Sequence, residues 1–283
     1  MSWQILVTIS IVSLAIANIL LRVVMKKENS HAIAFSIMYQ LITGIIVFIY
    51  ALSNGFKLPN VLHLSPLIAL IFTLYIIGNI FMFNALKRIG ISEYKILFSL
   101  QPVVTILASI IFLGEIINLK QIIGAILILI GVIVVSWQSK KLKILNQGAI
   151  FTLIAAIAYG LAFTGDTFVV RNIDVASYQT FAFIVPALIM LLVFPSSKSH
   201  IKKMFNFPVF SKFLILCIFK ALATITIFTA YKIGRNNVQI APLTQLSTIV
   251  IVLAGIIILK ERKNIFQKIL GAILGFFGML LLK

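Results

Sequence analysis

The sequence predicts an all-α polytopic membrane protein: ten transmembrane helices arranged as two inverted five-helix repeats. Three observations carry this. Of 283 residues, 61% are hydrophobic and only 11% charged, whereas a soluble domain carries about a quarter charged residues. Apolar stretches recur along the whole chain, each long enough to cross ~30 Å of hydrocarbon, and the mean hydropathy is +1.16. Finally, the second half of the chain repeats motifs of the first.

Apolar runs divide the chain into ten spans at about 3–24, 31–52, 65–86, 93–113, 118–137, 148–170, 176–194, 210–232, 237–259 and 264–282. The connections are short and carry turn and charge signals: "SNGFKLPN", "WQSKKLK", "PSSKSHIKK". The opening "MSWQILVTISIVSLAIAN" ends in a small-x-small "AIA", like a signal-peptidase site. No basic residue precedes its apolar run, however, and Arg22, Lys26 and Lys27 follow it. A secretory signal has the reverse order, so the segment reads as a retained first helix.

The net charge is +18, from 24 Lys and Arg against six acids. In a soluble chain that would suggest nucleic acid. Here the basic residues fall in short connections, where they set orientation and meet anionic lipid headgroups, so no nucleic-acid partner is expected. The odd-numbered connections carry seventeen of them, from Arg22, Lys26 and Lys27 in the first to Lys260, Arg262, Lys263 and Lys268 in the ninth. The even-numbered ones carry five: Lys57, Lys120, Arg171, Lys232 and Arg235. The positive-inside rule then places odd connections in the cytoplasm and both termini outside. The single cysteine, Cys217, excludes an intrachain disulfide.

The repeat is explicit. Residues 115–131 read "EIINLKQIIGAILILIG" and 261–278 read "ERKNIFQKILGAILGFFG". Glu115 aligns with Glu261, Asn118 with Asn264, Gly124 with Gly271 and Gly131 with Gly278. Upstream, "NALKRIG" at 84–90 aligns with "TAYKIG" at 229–234. The halves are 1–143 and 144–283. Five spans is an odd number, so the second half enters the membrane from the opposite side. Many secondary transporters are built this way, with the substrate site between the halves near mid-membrane.

These motifs, with "SLQPVVTILASIIFLGE" (99–115), "GAILILIGVIVV" (124–135) and "GAILGFFGMLLL" (271–282), resemble the EamA-type branch of the drug/metabolite transporter superfamily over essentially the whole chain. The resemblance implies a carrier of small metabolites with a central cavity. It does not choose among amino acids, nucleotide sugars, phosphorylated sugars and drugs. It also implies cytoplasmic termini, opposite to the charge count. One departure stands out: Pro102 precedes Glu115, but the matching place before Glu261 is Thr248, and Pro242 lies nearer the start of the ninth span. In four-helix relatives the last helix dimerises. A ten-helix chain can make that contact internally, so a monomer suffices and a dimer is possible.

The paired glutamates read as structural. Asn118-x-x-Gln121 and Asn264-x-x-Gln267 have capping-box form, and a glutamate just before such a cap meets the positive end of the helix dipole. On this reading the glutamate charge is dispensable and the cap is not. Gly124, Gly131 and Gly271-x-x-x-Gly275 leave faces without side chains, which suits close packing of the fifth span on the tenth.

The candidate substrate-binding residues are polar groups far from the connections: Asn18, Tyr75, Asn79, Gln101, Tyr159, Asp166, Lys220 and Gln245, with Gln40 and Asn84 also within spans. Single amides and tyrosines in membrane helices commonly make interhelical hydrogen bonds. Gln101 and Gln245 stand on repeat-equivalent spans, and Tyr75 falls near the repeat position of Lys220.

Lys220 carries the most weight. "FLILCIFKA" places it roughly ten residues from either end of its span, ~15 Å from each interface, and a lysine stem reaches only about 6 Å. In lipid it would cost at least ~2.5–3.5 kcal/mol, so it must face the interior. There it can meet a substrate anion, an ion-pair partner in Asp166, or a watery cavity, or it can stand deprotonated. His31, His63 and His200 show no metal-ligand spacing, and no phosphate loop or clustered acidic motif is present, so neither an enzyme nor a cofactor is expected. The sequence thus reads as a carrier of a zwitterionic or anionic metabolite in the cytoplasmic membrane. The alternatives are a flippase for a lipid-linked anionic headgroup and a non-transporting membrane subunit.

Overall fold

The computed structural model describes residues 2–27, 32–57, 65–89, 94, 97–136, 146–204, 207–234, 236–250 and 265–282. Its helices are α1 (Trp3–Lys27), α2 (Ala32–Ser53), α3 (Ser65–Leu86), α4 (Leu100–Leu113), α5 (Leu119–Ser136), α6 (Gln147–Val170), α7 (Val175–Val193), α8 (Ser197–Met204), α9 (Phe207–Gly234), α10 (Asn237–Thr244) and α11 (Ile265–Leu281). The described residues contain no strand. Six helices, α1, α2, α3, α6, α7 and α9, are long and apolar enough to cross a membrane; α4, α5 and α11 are apolar but shorter.

Local chemistry explains the ends. The Asn118 side chain accepts from Gln121 N–H (2.9 Å) while the Gln121 side chain accepts from Asn118 N–H (3.1 Å), a complete capping box at the start of α5. Asn146, Asp174 and Asn236 cap α6, α7 and α10, each side chain accepting from the N–H three residues on. Gly114 stops α4 with φ +65°, where a side chain would be strained. Asn264 lies outside the described residues, and Gln267 donates to the Val134 carbonyl of α5 at 2.6 Å.

Three details differ from the sequence expectation. The "PSSKSHIKK" connection contains α8, whose Ile201 and Met204 rest on an apolar cluster while Lys198 and Lys202 stay exposed. That amphipathic spacing is too short to stand out in a charged loop. The fourth span is interrupted by a turn at Ser99, because Pro102 just beyond it has no N–H to continue the ladder. The ninth is interrupted at Gln245, where the Gln245 N–H bonds to Pro242 O; its residues beyond 250 are outside the described set.

The most extensive pairings are α5 with α11, α1 with α9, α3 with α6 and α2 with α7, with α4 against α6 and α10. Glycines set the closest of these. A Cβ on Gly131 would stand 2.7 Å from the Gly271 carbonyl, and one on Gly278 would stand 2.6 Å from that of Gly124. The backbones of α5 and α11 therefore touch, as the spacing of Gly124, Gly131 and Gly271 predicts, whereas a Cβ on Gly275 would meet Ile249 and Leu246 of the ninth span.

Both ends of the bundle hold apolar clusters, and the even end adds a set of polar contacts. At the end of the odd-numbered connections, Phe35, Met38, Phe83, Met204 and Phe213 form an apolar cluster from α2, α3, α8 and α9. At the even end polar contacts accompany a second apolar cluster that includes Val170, Val175, Tyr178, Tyr231 and Ile240. Lys232 donates to Ile173 O (2.8 Å), Lys57 N–H donates to Ser177 Oγ (3.2 Å), and Glu115 pairs with Arg171 (2.6 Å).

Candidate functional site

Lys220 stands in the middle of the 28-residue α9. Its helical face can be read from its neighbours. Ile215, Ile218 and Leu222 are 42–46% exposed and form the outer stripe. Phe213, Cys217, Thr224 and Ile227 form the opposite stripe and are at most 5% exposed. At 100° per residue Lys220 falls on that inner stripe. Its side chain is partly buried on that stripe. Among the described residues it makes no hydrogen bond or ion pair.

Asp166, on α6, is fully buried. Its carboxylate accepts from the Tyr75 hydroxyl of α3 and, at 2.6 Å, from the Tyr178 hydroxyl of α7. Two phenols replace the cation that a buried carboxylate otherwise needs. The ion pair with Lys220 is not formed, and depth explains why. Phe163 of α6 packs on Phe228 and Tyr231 of α9 at 4.8 and 5.5 Å between ring centres. Those residues lie eight or more positions beyond Lys220, ~12 Å along the axis, and Asp166 lies almost another turn further on.

The network continues from Asp166. Asn79 donates to the Tyr75 carbonyl (2.8 Å) and accepts from the Tyr159 hydroxyl (2.8 Å). The Tyr75 and Tyr159 rings meet edge to face at 5.8 Å, and Gly78 lets the Tyr159 ring lie against α3. Four sequence candidates, Tyr75, Asn79, Tyr159 and Asp166, thus form one connected group between α3 and α6. Gln101 and Gln245 also meet, Nε2 of Gln245 standing 3.5 Å from Oε1 of Gln101 at the outer limit of a hydrogen bond. This contact lies at the two interrupted spans. Asn18 is not part of either group: its amide donates to Leu14 O in its own helix. Gln40 bonds to Ser36 within α2, and Asn84 to Ile80 O within α3.

A model of the EamA-like transporter family matches residues 1–137 and again 146–283. The chain belongs to the EamA-like transporter family. That family lies within the drug/metabolite transporter superfamily, so the membrane-crossing helices described above are those of a transmembrane transporter. An uncharacterised transporter of Archaeoglobus fulgidus is 26% identical over 211 residues, 74% of this chain and 72% of its own. An uncharacterised protein of Methanocaldococcus jannaschii is 40% identical over 63 residues, 22% of this chain and 46% of its own. One crystal structure superposes with a TM-score of 0.74 over 98% of this chain and 97% of its own; at 13% identity this likeness shows the fold alone.

Two features of this EamA-like transporter escape sequence reasoning. Tyr178 is the second donor to Asp166, and its only signal was a tyrosine shortly after an intramembrane acid, across a tight turn. The other is the reach of Glu115. Its dipole contact is with α10, not with the α5 it precedes: Oε2 accepts from the N–H groups of Asn237 (2.7 Å) and Val238 (3.0 Å).

Proposed function

We propose that this transporter carries a small organic metabolite bearing an anionic group, such as an amino acid or related zwitterion, and that Lys220 binds that group. The carrying observation is a lysine at mid-helix on the inward stripe of α9, with no hydrogen bond or ion pair among the described residues. A permanent charge is kept there only if something arrives to meet it. Asp166 cannot be its partner at the depth just described, and its own hydrogen bonds go to tyrosines.

The carrier works by alternating access between two inverted five-helix repeats, 1–143 and 144–283, in the cytoplasmic membrane. Several observations support that reading. The family model matches once per half. The pairing of the first and eighth spans becomes that of the sixth and third when each span is exchanged for its repeat partner. The second–seventh, fifth–tenth and fourth–ninth pairings map onto themselves. Gln101 and Gln245 would lie beside that pseudo-two-fold axis, at helix breaks of the kind that line transporter sites. Tyr75, Asn79, Tyr159 and Asp166 would form one wall of the cavity; Asn18 would have to turn from its helix to contribute.

The test is uptake and counterflow of carboxylate-bearing solutes in proteoliposomes. Lys220→Met should give normally folded protein with transport lost, and Lys220→Arg should retain a measurable fraction. Normal transport by Lys220→Met would refute the assignment.

A further inference from the structure

Glu115 is bonded more fully than a helix-end glutamate needs. One carboxylate oxygen pairs with Arg171 at the end of α6 (2.6 Å). The other accepts both leading N–H groups of α10. Asn237, the first residue of α10, is completely buried and donates to Ser109 of α4 (2.9 Å) and to Thr167 of α6 (2.6 Å). Three elements from the two halves of the chain therefore converge on one carboxylate at the even end. α5 needs none of this, because its capping box is complete without Glu115.

Two further facts suit this junction to act as a moving part. First, α10 has only eight residues, from Asn237 at the junction to the break at Gln245. It is a rigid lever of ~12 Å whose far end touches Gln101 at the proposed cavity. Second, Glu115 is the group through which the first half holds both Arg171 and the start of α10 in the second half, so loss of its carboxylate removes both sets of bonds at once.

We propose that Glu115 is the gating residue of the even end: its bonds to Arg171 and α10 close the path to Lys220 in this conformation and release in each transport cycle. This rests on the carrier reading above. A static staple would instead hold the fold together and never open.

Thiol accessibility separates the two. In a Cys217→Ala background, Thr105→Cys places a near-isosteric reporter on α4, one turn inside Ser109 and fully buried. Ser36→Cys places a second at the odd end, also fully buried. Each is exposed to a water-soluble sulfonated methanethiosulfonate, with and without Glu115→Ala. A gate predicts that Glu115→Ala accelerates labelling of Thr105→Cys at least about tenfold, the factor ~1.4 kcal/mol corresponds to, and leaves Ser36→Cys unchanged. Arg171→Gln, should Glu115→Ala fold poorly, predicts the same asymmetry. Acceleration of both reporters together means general loosening and overturns the proposal, as does acceleration of neither or of Ser36→Cys alone. Because the readout is labelling, a negative result leaves the Lys220 transport test standing, and failure of that test leaves this one standing.

Discussion

At the scale of single residues, the charged and polar groups inside this protein divide by whether they have partners. Asp166 is satisfied by two phenols, Glu115 by a guanidinium and two backbone N–H groups, and Asn118 by its reciprocal cap. Lys220 has no such partner among the described residues, and the proposed substrate role rests on that. The satisfied groups make stability predictions instead. Asn118→Ala removes one arm of the capping box and leaves the Gln121 N–H without its acceptor, so it should cost about 1 kcal/mol. Thermal unfolding in detergent should show a lowered Tm, while transport per folded molecule stays near that of the unmodified chain. A large loss of transport at unchanged Tm would show that the cap does more than hold α5.

At the scale of elements, α5 and α11 meet backbone against backbone. Gly124, Gly131 and Gly278 have no room for a Cβ, since the nearest atoms are carbonyl oxygens of the facing helix, which cannot rotate away. Gly278→Val should therefore force α5 and α11 apart and destabilise by ~1–3 kcal/mol or more through overpacking. A side chain at Gly55, with positive φ but open space around it, would be strained only through its backbone, and Gly55→Asn should be tolerated much better. Comparing folded yield and Tm of the two variants checks this; equal losses would mean that the close approach of α5 and α11 is not limiting. The same scale holds the two interrupted spans. Pro102 accounts for the turn at Ser99, but the turn at Gln245 has no proline three residues beyond it, so similar breaks arise from different local sequence.

At the scale of the whole molecule, the basic residues decide orientation. Contacts place the odd-numbered connections together: α8, with Lys198 and Lys202, packs beside the start of α2, and Arg88 after α3 reaches Gln147 at the start of α6 (3.3 Å). Seventeen Lys and Arg belong to that end by sequence and five to the other. The positive-inside rule then predicts odd connections in the cytoplasm and both termini outside. A reporter active only in the cytoplasm, fused after Lys283, should be silent, and one inserted in the connection after Ser136 should be active; the reverse pattern would establish the opposite orientation.

The sequence alone determined that this chain is a helical membrane transporter of the EamA type, which glycines bring α5 onto α11, and that Asn118 caps with Gln121. Each is a local or periodic signal: hydrophobic length, glycine spacing, a polar residue three positions before its partner. Tertiary structure decided which polar groups meet. Asp166 lies ninety-one residues from Tyr75, and Glu115 lies more than a hundred from the α10 amides it caps. No periodicity encodes such distances, because depth and rotation are fixed only when all the helices pack together. The α8 helix and the break at Gln245 were hidden for the same reason. Their conformations depend on the apolar cluster and the neighbouring helices they rest against, not on their own few residues.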